Sequence, residues 1–230
     1  AEEWPLKNTK FTKFFMHSSG RANSLNGDGV LSRQEPGEEP HDIYVSDPNY
    51  PVQSLGGRSC CLAALAPMGP VDQRPVETRN DVLVFTTARL AQDVAVIGPV
   101  DVTLYAASSA DDTDFTVKLV DVHPDGRAIN IVDSIQRASH RESSEKPTAI
   151  KPGEVYKYDF RVGSTAIRFA KGHRIRIEVA SSNFPTFERH LNKFRKNLSG
   201  GYYDGFVATQ RIFHDSAHPS HVTLPLVPAA

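Results

Sequence analysis

Apolar and polar residues alternate along most of this chain. Between residues 93 and 106, Val94, Val96, Val100, Val102 and Leu104 fall on one face, and Asp101, Thr103 and Tyr105 on the other. Gly98-Pro99 in the middle predicts a bulge or a break between two strands. Over 174–181, Ile175, Ile177 and Val179 point inward and Arg174, Arg176 and Glu178 outward; Tyr156, Tyr158, Phe160 and Val162 repeat the pattern against Lys157, Asp159 and Arg161. A period of two is the signature of half-buried antiparallel strands.

Residues 115–123 and 127–137 predict two more strands, joined by Pro124-Asp125-Gly126. Proline presets φ, aspartate can bond its own backbone and glycine accepts positive φ, so this reads as a hairpin. Segments 82–86, 11–17, 206–213 and 222–224 complete the strand set. Helical periodicity is scarce: at most, 187–197 forms a short helix. No alternation of strands with long helices indicates a parallel sheet. The expected fold is therefore all-β, a jelly-roll β-sandwich.

Residues 20–81 differ. They hold Asn26-Gly27-Asp28-Gly29, a run from Glu35 through Glu38-Glu39-Pro40, and Asp47-Pro48-Asn49-Tyr50-Pro51. So long an irregular stretch is rarely a mere linker, so it is expected to be an excursion that packs on something. With strand-like flanks on both sides and no internal repeat, one domain over 1–230 is the expectation, 82–225 being its strand-rich part.

Composition narrows the function. The 230 residues carry 26 Lys+Arg against 27 Asp+Glu, a net charge of −1, which offers no broad footprint for nucleic acid or an anionic membrane. With 39% hydrophobic and 23% charged residues, the chain has the mixture of a folded domain. No apolar run reaches the ~18 residues that span a bilayer, and no signal peptide is evident; the compartment stays open, with the cytoplasm favoured. Cys60 and Cys61 are adjacent, which rules out an ordinary loop-closing disulfide within the chain.

Candidate chemistry is sparse. A nucleophile elbow needs G-x-S-x-G between a strand and a helix; Gly57-Arg58-Ser59-Cys60-Cys61 lacks the second glycine and precedes no helical pattern. Cys60 and Cys61 read as buried or loop cysteines. His214, His218 and His221 bring zinc to mind, but the segment lies between strands and carries Pro219, so a turn held by Asp215 and Ser216 is favoured. Asp111, Asp112 and Asp114 suggest paired carboxylates or a calcium site, yet lack EF-hand spacing and suit turn chemistry better. The basic run from Arg189 to Lys196 reads as a solvated cluster. Tyr202-Tyr203, if exposed, would suit sugar stacking, which keeps a free-standing carbohydrate-binding or interaction module as the alternative function.

Several strings carry a resemblance: Glu2-Glu3-Trp4-Pro5-Leu6, His17-Ser18-Ser19-Gly20-Arg21-Ala22-Asn23, Gly69-Pro70-Val71-Asp72-Gln73-Arg74, the strand from Thr113-Asp114-Phe115 to Val122, Ser181-Ser182-Asn183-Phe184-Pro185, and His214-Asp215 with Pro219-Ser220-His221-Val222. In their order and spacing over residues 2–227 the chain resembles the C-terminal non-catalytic domain of the X-Pro dipeptidyl-peptidase/cocaine esterase (CocE/NonD) family of serine hydrolases. The resemblance implies a jelly roll of the galactose-binding-domain-like kind behind an α/β-hydrolase catalytic domain of the same polypeptide. It implies no catalytic residue, metal or cofactor in this stretch, and makes the histidine-rich segment structural. Asn197-Leu198-Ser199-Gly200 is only loosely family-like, so its loop departs from the pattern. In such a domain, loops help wall the substrate cleft; the apolar, glycine-flanked stretch Leu55, Gly56, Gly57, Cys60, Cys61, Leu62 and Leu65 is the candidate wall here.

Overall fold

A computed structural model describes residues 3–58, 67–194 and 204–228. Eleven strands account for nearly all its regular structure: β1 (Lys10–His17), β2 (Val30–Ser32), β3 (Asp42–Ser46), β4 (Leu83–Thr86), β5 (Val94–Ser108), β6 (Asp114–Val122), β7 (Ala128–Arg137), β8 (Tyr156–Phe169), β9 (Arg174–Ala180), β10 (Ala208–Phe213) and β11 (His221–Val227). One helical turn, α1 (Arg74–Glu77), and a 3-10 turn at Ala138–His140 complete it. This is the all-β sandwich that the alternation predicts.

The strands form a continuous hydrogen-bonded path folded into two facing layers. One layer runs β8-β5-β11-β1, with β10 and β11 lying end to end along β5 and β3 paired outside β10. The other runs β4-β9-β6-β7, and β2 links the two, antiparallel to β1 and parallel to β4 through Val30 and Thr86. Between the layers, Val100, Val102 and Leu104 of β5 share one core with Phe85, Leu119, Ile175 and Ile177. The rings of Phe115 and Tyr158 meet across it at 5.1 Å. At the open edge, β8 passes so close to β7 that a Cβ on Gly163 would lie 2.2 Å from Val132 Cγ2.

The hairpin after β6 forms as the turn residues predict. His123 N donates to Arg127 O at 2.8 Å, Gly126 adopts φ +91°, and Asp125 Oδ1 accepts from Arg127 N. Gly98-Pro99 does not break β5, which pairs with β8 through both residues; against β8 the register shifts just beyond them, between Val100 and Asp101, and against β11 it shifts across them, between Val96 and Asp101. Gly98 is required instead by β11, because a Cβ there would come 2.8 Å from Pro225 Cβ.

Two expectations need correction. The described part of 187–197 is not helical: Asn192 sits at φ +56°, Arg189 donates to Pro48 O, and Phe194 N is captured by Asp111 Oδ1. Competing partners of this kind draw the chain out of helix. The second layer is also not half-buried. All nine residues of β6 are buried, and Glu178, expected on the outer face of β9, is 3% exposed. The excursion covers that face: Val52, Val76 and Leu55 pack with Val82, Val84 and Ala180 in a second small core.

Candidate functional site

The same excursion carries the stretch singled out as a wall. Leu55 O accepts from Gln73 Nε2 at 2.8 Å. Gly57 and Gly69 then exchange backbone hydrogen bonds of 2.8 and 3.1 Å, so the chain leaves and re-enters through a two-bond neck. Both glycines of the pair Gly56-Gly57 have positive φ, and a Cβ on Gly56 would lie 2.3 Å from Gly69 O; a left-handed conformation with backbone this close admits little but glycine. Below the neck, Arg58 Nη2 donates to Asp133 O at 2.7 Å and Val71 N to Asn130 Oδ1, both on β7. Asn183 Nδ2 donates to Asp133 Oδ2. The neck is thus fastened to the outer face of the sandwich. Leu55, Gly56 and Gly57 belong to it; Cys60, Cys61, Leu62 and Leu65 lie outside the described residues, as do Ser59 and Tyr202-Tyr203.

Three hydroxyl–imidazole contacts form among the described residues: Ser32 Oγ with His17 Nε2 at 3.2 Å, Ser139 Oγ with His140 Nδ1 at 3.1 Å, and a buried one at His214. Ser18 Oγ lies 3.1 Å from His214 Nε2, with Asp42 and Glu39 alongside. Composition alone would suggest a catalytic triad, but the proton arrangement forbids one. His214 Nδ1 faces Glu39 Oε2 at 3.2 Å and Nε2 faces Asp42 Oδ2 at 2.9 Å. Burial opposes the charge on His214, yet the two carboxylates overcome it and raise the pKa above the ordinary 6.5. With both ring nitrogens directed at carboxylate oxygens, the ring offers no free lone pair to take the serine proton. Ser18 Oγ donates instead to Asp42 Oδ2 at 2.8 Å and accepts from Gly20 N. His214 and Asp42 are wholly buried. Grooves of about 590 and 340 Å³ lie elsewhere, beside Tyr50 and Arg79 and beside Arg137 and His190. The cluster ties the loop after β1 to β3 and to the end of β10.

The other predicted candidates disperse. His218 pairs with Asp215 and His221 Nδ1 with Pro219 O, so His214, His218 and His221 do not converge. Asp215 Oδ1 accepts from Ala217 N and His218 N, and Ser216 Oγ donates to Glu38, the turn expected there. Asp111 holds Phe194 N, while Asp112 and Asp114 hold Ser139 N and Arg137 where β7 ends. Burial works to raise the pKa of Asp112, but His190 and Ser139 hydrogen bonds outweigh it and hold it low. Among the described residues, exposed aromatics do not form a row on one sheet face: Phe11 lies on β1, Trp4 precedes it, and Tyr50, Phe184 and Phe206 lie between strands.

Comparison with known proteins gives this architecture a family context. Residues 1–223 match the model of the X-Pro dipeptidyl-peptidase C-terminal non-catalytic domain. Cocaine esterase of Rhodococcus sp. is 43% identical over 225 residues, covering 98% of this chain and 39% of the esterase. A solved aminopeptidase from a marine sediment Thaumarchaeota archaeon superposes with a TM-score of 0.87 at 26% identity, over 99% of this chain and 38% of its own. An α-amino acid ester hydrolase gives 0.83 at 29% identity, over 94% of this chain and 36% of its own. The chain therefore spans less than two fifths of each of these relatives.

Proposed function

Because the chain belongs to the family of X-Pro dipeptidyl-peptidase C-terminal non-catalytic domains, we propose that it serves as a single jelly-roll domain packed on the α/β-hydrolase domain of one polypeptide, a serine hydrolase of esterase or X-Pro peptidase type. Its task there is to shape a site whose reacting groups lie outside it. The stretch containing Leu55, Gly56, Gly57, Cys60, Cys61, Leu62 and Leu65 walls the acyl side of the substrate cleft and keeps water from it, which strengthens the electrostatics around a developing oxyanion. The observation that carries this reading is the Gly57–Gly69 neck on β7: it offers a rigid base from which an apolar loop can meet a neighbouring domain.

Two outcomes are expected. The 230-residue chain alone turns over neither p-nitrophenyl esters nor Xaa-Pro anilides, and a fluorophosphonate leaves Ser18 unlabelled; stoichiometric labelling accompanied by turnover overturns the proposal. In the full-length enzyme, Gly56→Ala displaces the neck and raises KM for bulky acyl substrates by about tenfold, with a smaller change in kcat, as expected when ground-state and transition-state binding are lost together. Unchanged kinetics across a series of acyl sizes would remove this stretch from the cleft. Titration against an oligosaccharide panel tests the alternative of a carbohydrate-binding module, which saturable binding would favour.

A further inference from the structure

At the far end of the second layer, three side chains, one from β6 and two from turns, converge without a role in the packing described above. Asp121 lies near the end of β6 and His123 directly follows that strand, so an i, i+2 spacing puts both on one face. His173 comes from the turn between β8 and β9, where its backbone is fixed by His173 N donating to Ala170 O and Leu90 N to His173 O. The hairpin tip packs on this turn, Pro124 Cγ lying 3.8 Å from the position of a Cβ on Gly172. His173 Nδ1 stands 2.9 and 3.1 Å from the two Asp121 oxygens. His123 Nε2 stands 3.7 Å from Asp121 Oδ2, beyond hydrogen-bonding distance, and the two imidazoles are 4.4 Å apart between centroids.

We propose that Asp121, His123 and His173 bind one divalent first-row transition ion, with Zn²⁺ as the representative. One ligand atom from each residue lies within 4.8 Å of the other two. Tetrahedral zinc with bonds of about 2.0–2.1 Å separates neighbouring ligand atoms by roughly 3.3 Å. The Asp121 separations of 2.9 and 3.7 Å straddle that value, so small side-chain rotations close the site. A direct hydrogen bond already accounts for the contact of His173 with Asp121. It does not account for the second imidazole, turned toward the same carboxylate at a distance that an ion would bridge.

The ligand chemistry sets the metal class. Two imidazoles and a carboxylate suit zinc, cobalt, nickel and copper, whereas magnesium and calcium prefer oxygen ligands alone. Side-chain exposures of 10% for Asp121, 16% for His173 and 27% for His123 leave the group partly dehydrated yet reachable. Three protein ligands leave a fourth position for water. Arg127 approaches His123 Nδ1 at 3.5 Å, but its Nε is held by Asp125 Oδ2 at 2.8 Å, which offsets the charge. Bound metal would clamp the β6–β7 hairpin to the β8–β9 turn.

The test uses the full-length polypeptide with Cys60→Ser and Cys61→Ser, which removes both thiolates of this domain from competition. After chelator treatment it is titrated calorimetrically with Zn²⁺ and with Mg²⁺, and Co²⁺ is followed by the visible absorbance of a tetrahedral site. Expected are one saturable Zn²⁺ equivalent, no Mg²⁺ binding, and at least a tenfold loss (an order-of-magnitude figure for removing one of three ligands) in both His123→Phe and His173→Gln. The parent melts at a higher temperature with Zn²⁺ while the variants do not, since only an ion bound to the folded state raises its stability. Should His123→Phe fail to fold, His123→Gln takes its place. Absence of saturable Zn²⁺ binding at tens of micromolar, or binding undiminished in the variants, overturns the proposal.

Discussion

Glu77→Ala is expected to destabilise the protein by about 3–5 kcal/mol, whereas Glu77→Gln leaves it nearly as stable as the parent at neutral pH and more stable above it. Glu77 is wholly buried, with Oε2 2.6 Å from Arg176 Nη1. Its neighbour Glu178 reaches Lys118 Nζ at 3.5 Å, and Lys118 donates to Gln73 Oε1. Glu77 Oε1 and Glu178 Oε1 are both buried without another partner; a proton between the carboxyls is the donor both lack. Burial first, and then the Glu178 charge, pushes the Glu77 carboxyl up to about 8 against the pull of Arg176. A pKa raised on folding means that the folded state holds the proton more tightly. The stabilisation is complete below the ordinary 4.5 and is lost as pH rises through about 8. Glutamine carries a permanent N–H where the proton sits, so Glu77→Gln flattens this dependence; alanine leaves Arg176 buried without its partner. Urea midpoints at about pH 5 and about pH 8 check both variants. A Glu77→Gln slope identical to that of the parent would refute the shared proton.

Asp42→Ala is expected to cost a similar 3–5 kcal/mol, the range for breaking a buried ion pair. Asp42 accepts from Ala22 N at 2.7 Å, from Ser18 Oγ and from His214 Nε2, and its loss leaves all three donors to find other partners. The sign of the pH effect follows from His214, whose pKa the carboxylates hold above 6.5 despite burial. Its stabilisation is present in full below 6.5 and disappears as pH climbs through the higher folded value, where a ring nitrogen turns a lone pair toward a carboxylate. Asp42→Asn keeps the shape but removes one anion, so it lowers the His214 pKa and weakens the alkaline loss of stability. Thermal melts in the Glu77→Gln background isolate this contribution. Ser18→Ala, which removes only one hydroxyl, is the comparison that separates the ion pair from the hydrogen bond.

Legibility in the sequence followed the number of faces a strand buries. Strands β5 and β9 bury one consistent set of residues against the main core, so Val100, Val102 and Leu104 or Ile175, Ile177 and Val179 declare themselves. β3 inverts the code, burying Asp42 and Tyr44 while Ile43 and Val45 stay exposed, and alternation could not flag it. The second half of β8 lay beyond its expected end because the bulge opposite Val100 and Asp101 shifts the phase. Charges on the outer face of β9 read as outward-facing because nothing local shows that residues 52–58 and α1 cover them. The site followed the same logic. Gly56 and Gly57 were visible as a local feature, but the Ser18, Asp42 and His214 cluster joins residues up to 196 positions apart, and Asp121 and His173 are 52 apart. Such meetings are made by the strand order.

The neck at Gly57 and Gly69 also bears on how the segment it closes can diverge among members of the family. Since the two glycines close on each other before the chain reaches the sheets, an insertion or deletion between Arg58 and Pro67 does not propagate into the strand register. Doubling the number of residues there costs only about 0.6 kcal/mol in closure entropy, little beside the cores beneath. Selection can therefore rewrite the segment between Arg58 and Pro67 as a cassette, while the scaffold that holds it keeps its own sequence.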